Sequence, residues 1–182
     1  MRKWNAIISM CIIVLFLVHA IAGGFQLMGL MPGGSDLMGI LAWIMLVLIL
    51  IHTIIGIKLT ADSLAACKKS GVSYFRDNKL FWARRISGFA IFIFILFHVI
   101  LFLGKNDGVY RLNYFGTLQL ATQILMVVSV AVHVITNVNP LLVSFGLKHL
   151  KEYALDILIV ISVILLFTGV SFVIYYIRWN VL

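Results

Sequence analysis

Four histidines stand within long apolar runs: His19, His52, His98 and His133. An ionisable side chain in such surroundings is costly and needs a partner or a task. Neutral imidazole is a good transition-metal ligand, and ligation removes the ring's desolvation problem. A single histidine of this kind is explained by a hydrogen bond to a nearby carbonyl. Four of them, one on each of four successive runs, point to metal chemistry. Zinc would need three or four ligands converging at one place, and no Cys, Asp or Glu accompanies these histidines. A proton relay would normally use carboxylates, and the runs contain none. Cys11 and Cys67 lie far apart, and no CxxCH or CxxC motif is present. This argues against covalently attached c-type haem.

The elements that carry the histidines follow from composition. Of 182 residues, 63% are hydrophobic and 11% charged, against about 25% charged in a soluble domain. The bilayer must be the solvent. The expected fold is all-α and integral to the membrane, one domain over residues 1–182. Five spans are expected near Ile7–Met28, Leu37–Ile57, Ile86–Leu103, Gly116–Val138 and Ile157–Ile177, the first four forming the ligand-bearing bundle. Each has about the 20 residues that a helix needs to cross, and is too long for a barrel strand. Met1-Arg2-Lys3 and Ala20-Ile21-Ala22 imitate a secretory signal, but the segment reads as the first span.

Breaks between the spans are well marked. Met31–Asp36 is a Pro-Gly-Gly turn and Gly104–Gly108 a short polar loop. Asn139-Pro140 is expected to stop the fourth span. The second helix is expected to continue past its span until Ser70-Gly71 ends it. The formal net charge is +8. Because the basic residues lie between apolar spans, the charge reads as topology and not as nucleic-acid binding. With the N-terminus cytoplasmic, all Lys and Arg except Lys105, Arg111 and Arg178 fall on the inner side. The expected location is the cytoplasmic (inner) membrane, with the C-terminus outside. Tyr175, Tyr176 and Trp179 are expected to form an outer aromatic belt.

Depth then pairs the histidines. His19 lies ~18 Å beyond Ile7, and His98 ~18 Å beyond Ile86, on two outward-running spans. His52 and His133 lie ~22–26 Å along two inward-running spans, near the inner edge. His19 and His98 thus share an outer level, and His52 and His133 an inner one, separated by roughly 10–14 Å. In an antiparallel bundle, spans one and three are diagonal, as are two and four. Each equal-depth pair would face across the core and ligate one macrocycle from both sides, giving two b-type haems. Other features agree. Thr122, Met126, Ser129, His133 and Thr136 form one stripe on span four. Ser87, Ile91, Phe94 and His98 share a face of span three. Gly23 and Gly56, one turn after His19 and His52, would admit a flat ring. His149, beside Lys148 and Lys151, reads as a solvated surface residue.

This pattern resembles the dihaem cytochrome b membrane-anchor subunit of succinate:quinone oxidoreductases and fumarate reductases. Five helices with one histidine on each of the first four are similar to that family over essentially the whole chain. Arg85-Ile86-Ser87-Gly88, with His98 further along the same helix, is similar to the family's Arg-x-Ser/Thr-Gly start of its third helix. Five-helix cytochromes b such as those of nitrate reductase place their ligand pairs on two helices, an arrangement absent here. The resemblance implies an inner haem on His52 and His133 and an outer haem on His19 and His98. It implies flavoprotein and iron–sulfur partner subunits at the cytoplasmic face, and a membrane quinone, expected to be menaquinone, as substrate. The chain would be the part of this enzyme that does not handle the dicarboxylate. The basic segment Lys58–Arg85 would then be a docking surface, and Arg84 or Arg85 a partner for a propionate or quinone. Some members use a glutamate embedded in the fifth helix for coupled proton transfer. Here no acid follows Asp156, so that coupling does not carry over.

Two other readings use the same residues. One is a dihaem cytochrome b serving a different respiratory dehydrogenase. The other is a haem-free transport or assembly protein whose histidines only hydrogen-bond between helices.

Overall fold

The structure, a computed structural model, describes residues 1–71, 78–103, 105–106, 109–110, 114–146 and 150–181. Arg76, Arg111, Lys148 and His149 lie outside these residues. Five helices account for nearly all of the described chain: α1 (Arg2–Met28), α2 (Asp36–Ser70), α3 (Lys79–Phe102), α4 (Thr117–Ser144) and α5 (Leu150–Asn180). Each is long and apolar enough to cross a membrane. A two-rung antiparallel ladder between β1 (Lys105–Asn106) and β2 (Val109–Tyr110) joins α3 to α4.

The helix ends follow local chemistry. Gly29 adopts a left-handed conformation (φ 76°) and closes α1, its N–H bonding Gln26 O while that of Leu30 reaches Phe25 O. Gly71 closes α2 in the same way at φ 70°, where the Ser70-Gly71 signal placed the stop. The Asn78 side chain caps α3 by accepting from Phe81 N at 3.0 Å. α2 has 35 residues, or ~52 Å at 1.5 Å per residue. That exceeds a core of about 30 Å, so a polar turn or more emerges at its basic end.

Asn139-Pro140 does not stop the fourth helix: α4 runs on to Ser144 with Pro140 inside it. Proline deprives Thr136 O of its helical donor, but Arg84 Nε on α3 donates to that carbonyl at 2.7 Å. In a membrane helix such outside donors make an internal proline tolerable.

The bundle is two hairpins joined by a fifth helix. α1 packs against α2, and α3 against α4, while α5 wedges between α1 and α4. The α2–α3 boundary is not a tight seam, so the four histidine-bearing helices do not form the regular square that consecutive antiparallel packing predicts. At the end where α1 begins, called lower here, Val138, Leu142 and Ala154 form a small core with Ile157 and Leu158. At the upper end Leu27, Phe115, Phe172 and Tyr175 form another. Tyr175 therefore does not belong to a surface belt: it is 6% exposed and packs edge-on to Phe115 at 5.0 Å. Tyr176 is partly buried against the same core, whereas Trp179, one turn beyond Tyr175, is exposed. Gly24 allows α1 and α5 to approach, since a Cβ there would meet the Phe167 ring and lie 2.9 Å from Ser171 Oγ.

Candidate functional site

The histidines meet in the pairs that depth predicts. His19 on α1 faces His98 on α3 with ring centres 6.0 Å apart and planes at 74°. His52 on α2 faces His133 on α4 at 6.3 Å and 87°. Both contacts run between the two hairpins.

The contacts that orient the rings run within each hairpin instead. Ser9 Oγ on α1 lies 3.2 Å from His52 Nδ1 on α2. Ser87 Oγ on α3 lies 3.2 Å from His133 Nδ1 on α4. On that hairpin's upper level, His98 Nδ1 lies 2.8 Å from Gln123 Oε1. Gln123 is completely buried. Among the described residues, only the His19 ring has no hydrogen-bond partner.

These contacts also measure the spacing of the two levels. Ser9 marks the lower level on α1 and is ten residues from His19, or ~15 Å. Ser87 to His98 spans eleven residues on α3, ~16 Å, and Gln123 to His133 ten on α4, ~15 Å. Three helices thus agree on ~15–16 Å, somewhat more than the roughly 10–14 Å expected from span boundaries. The difference arises because span edges, unlike side-chain contacts, are poor rulers.

The Arg85-Ile86-Ser87-Gly88 segment acquires a physical role. Ser87 bonds the His133 ring, and Gly88 makes room for it: a Cβ there would lie 3.2 Å from His133 Cε1. Arg84 is committed to Thr136 O. The Arg85 guanidinium lies over the Phe81 ring at 5.0 Å and is 3.9 Å from where a Gly56 Cβ would be. It therefore sits by α2 one turn below His52, the better placed of the two arginines to meet an anionic group at that level.

Ser9, Ser87 and Gln123 are the residues that sequence reasoning underrated, Ser9 without any signal of its own in the sequence. Ser87 was legible as sharing a face with His98, eleven residues and three turns away, although its partner is His133. Gln123 had one signal, an amide in an apolar run at the depth of His98. The stripe on span four divides. Met126 joins the upper core, and Ser129 donates to Leu125 O at 2.8 Å and lines an outer groove of about 260 Å³ with Ser87 and Val132.

The ring spacing suits a haem held between each pair. Two imidazoles holding one metal from opposite sides, each nitrogen about 2.0–2.1 Å from it and about 1.1 Å from its own ring centre, place those centres about 6.3 Å apart. The two observed spacings match this value. A Cβ at Gly23 would meet nothing within 4 Å, in keeping with a flat ring beside His19. Among the described residues no three of His, Cys, Asp and Glu converge, so each level offers two imidazoles rather than a zinc-type ligand set. The donor set fits two bis-histidine haems. Comparison with family models, curated proteins and solved structures found no match to this chain.

Proposed function

We propose that the chain is the dihaem cytochrome b membrane anchor of a succinate:quinone oxidoreductase or fumarate reductase. The observation that carries this reading is the meeting of four histidines as two pairs, His19–His98 and His52–His133, at spacings of 6.0 and 6.3 Å. Bound there, two b haems would supply one-electron carriers at two depths of the bilayer. The protein's part is to hold them. Each pair is contributed by both hairpins, and Ser9, Ser87 and Gln123 orient three of the four rings. Arg85 offers positive charge beside the lower level and is assigned to a haem propionate there. With the N-terminus cytoplasmic, the lower level is the inner one, nearest the iron–sulfur and flavoprotein partners. The levels are ~15 Å apart, so electrons exchanged with quinone would cross about half of a core of about 30 Å between them.

The test is a reduced-minus-oxidised absorbance spectrum of the purified chain, with haem assayed per polypeptide. A b-type α-band and two haems per chain are expected. A featureless spectrum would leave the haem-free reading standing. The proteins that copurify then separate this anchor from a cytochrome b of another dehydrogenase: a flavoprotein and an iron–sulfur protein that together oxidise succinate or reduce fumarate are expected.

A further inference from the structure

A histidine can ligate iron through Nε2 only if that nitrogen carries no proton, so the proton must be held on Nδ1. The hydrogen-bond chains behind three of the rings point to where it sits. Ser9 has one hydroxyl proton, which it donates to Asn5 O at 2.8 Å. Its oxygen, 3.2 Å from His52 Nδ1, must then accept from the ring. Ser87 repeats the arrangement on α3. Its hydroxyl lies 3.2 Å from both Arg84 O and His133 Nδ1; a carbonyl only accepts, so the proton given to Arg84 O leaves the oxygen to accept from the ring.

The third chain is longer and ends in the same way. Thr122 donates its hydroxyl proton to Gln119 O at 2.7 Å. Its oxygen must therefore accept, and Gln123 Nε2 donates to it at 3.3 Å. That fixes the amide with Oε1 towards His98 Nδ1 at 2.8 Å. A carbonyl oxygen only accepts, so the ring must donate. All three chains are anchored on a main-chain carbonyl of the helix that supplies the oxygen, a position that does not rotate.

We infer that Ser9, Ser87 and Gln123 are positioning residues that hold the proton on Nδ1 of His52, His133 and His98, leaving Nε2 to face the partner ring across the hairpin interface. The inference rests on the haem reading for its purpose, though not for its geometry. Each hairpin sets its own tautomers, because all three chains lie within a hairpin and both ring pairs lie between hairpins. Loss of a residue that orients a ligating histidine lowers metal affinity about 10- to 100-fold. Ser9→Ala and Ser87→Ala should each weaken the lower haem by that factor and leave the upper haem unchanged. Gln123→Leu should do the reverse. Gln123→Glu places a carboxylate on His98 Nδ1–H, gives the ring imidazolate character, and should lower the upper haem's midpoint potential alone.

The experiment combines histidine ring ¹⁵N spectra of the full chain with haem titration and redox titration of each variant. The expected result is the Nδ1–H form at His52, His98 and His133 in the wild type, level-specific affinity losses, and recovery by Ser9→Thr, which restores the hydroxyl. Unchanged affinity in Ser9→Ala and Ser87→Ala, or Nε2–H rings in the wild type, overturns the assignment. A chain that takes up no haem yet shows the three Nδ1–H rings refutes the proposed function and upholds the tautomer assignment, so the two failures are distinct.

Discussion

Arg84 donates from Nε to the carbonyl of Thr136 at 2.7 Å, and this carbonyl is available because Pro140, four residues on, has no N–H to offer it. The proline and the arginine lie on different helices, and each makes sense only with the other. Removing the guanidinium leaves a partly buried carbonyl with no donor, which costs about 1–3 kcal/mol. Arg84→Ala should therefore destabilise the folded chain by that order. Pro140→Ala restores the helical donor, so the double variant should lose less than Arg84→Ala alone. Unfolding in detergent measures this, and strict additivity of the two substitutions would dissociate them.

Under the proposed dihaem function, substitutions of the four histidines should act by level. His19→Ala and His98→Ala should each remove the upper haem and spare the lower, and His52→Ala and His133→Ala should do the opposite. Haem content falling from two to one per chain, with different halves of the spectrum surviving, is the expected readout. Loss of the same haem in His19→Ala and His52→Ala would break the pairing. Since the His19 ring lacks a hydrogen bond among the described residues, the upper haem should also exchange for added imidazole more readily at that ligand.

The ring planes make a spectroscopic prediction. At 74° and 87° the paired imidazoles are close to perpendicular. Crossed ligand planes leave the two iron dπ orbitals nearly degenerate, which gives a strongly anisotropic low-spin ferric signal. Electron paramagnetic resonance of the oxidised protein should show two such signals. Ordinary rhombic spectra would mean that the planes rotate when iron is bound.

Glycine substitutions separate ring space from helix packing. A Cβ on Gly88 would press on His133 Cε1 at 3.2 Å, whereas one on Gly169 would meet nothing within 4 Å. Gly88→Ala should reduce the lower haem and leave the upper intact. Gly169→Ala should keep both haems and raise stability by about 0.5–1 kcal/mol, the usual difference between Gly and Ala inside a helix. Equal haem loss in the two variants would count against a specific fit at Gly88.

Much of this arrangement was legible because membrane helices are constrained from one direction. Run length fixed the number of spans, and Ser70-Gly71 marked the end of α2. Counting residues along each span was enough to pair His19 with His98 and His52 with His133. Pro140 misled because the rule for stopping a helix concerns its own hydrogen bonds, while the rescuing donor, Arg84, lies 52 residues before the Thr136 carbonyl that it caps. Tyr175 misled because two adjacent tyrosines near a helix end read alike, although Tyr175 is buried edge-on to Phe115 while Trp179 stays exposed. Gln123 escaped because its role depends on the lateral position of His98, and depth alone carries no lateral information. The open α2–α3 boundary was hidden for the same reason, since connection length does not reveal that α5 inserts between α1 and α4.

α2 packs closely against α1 alone and contributes no buried residue. A helix clasped along one flank surrenders the fewest contacts on leaving, so it is the first to detach and the last to dock. Biogenesis then acquires an order: α1, α3, α4 and α5 can assemble as a half-built shell while α2 stands aside like an unlatched door. If haem binds as proposed, it would enter by that door, with His52 as the catch that shuts behind it.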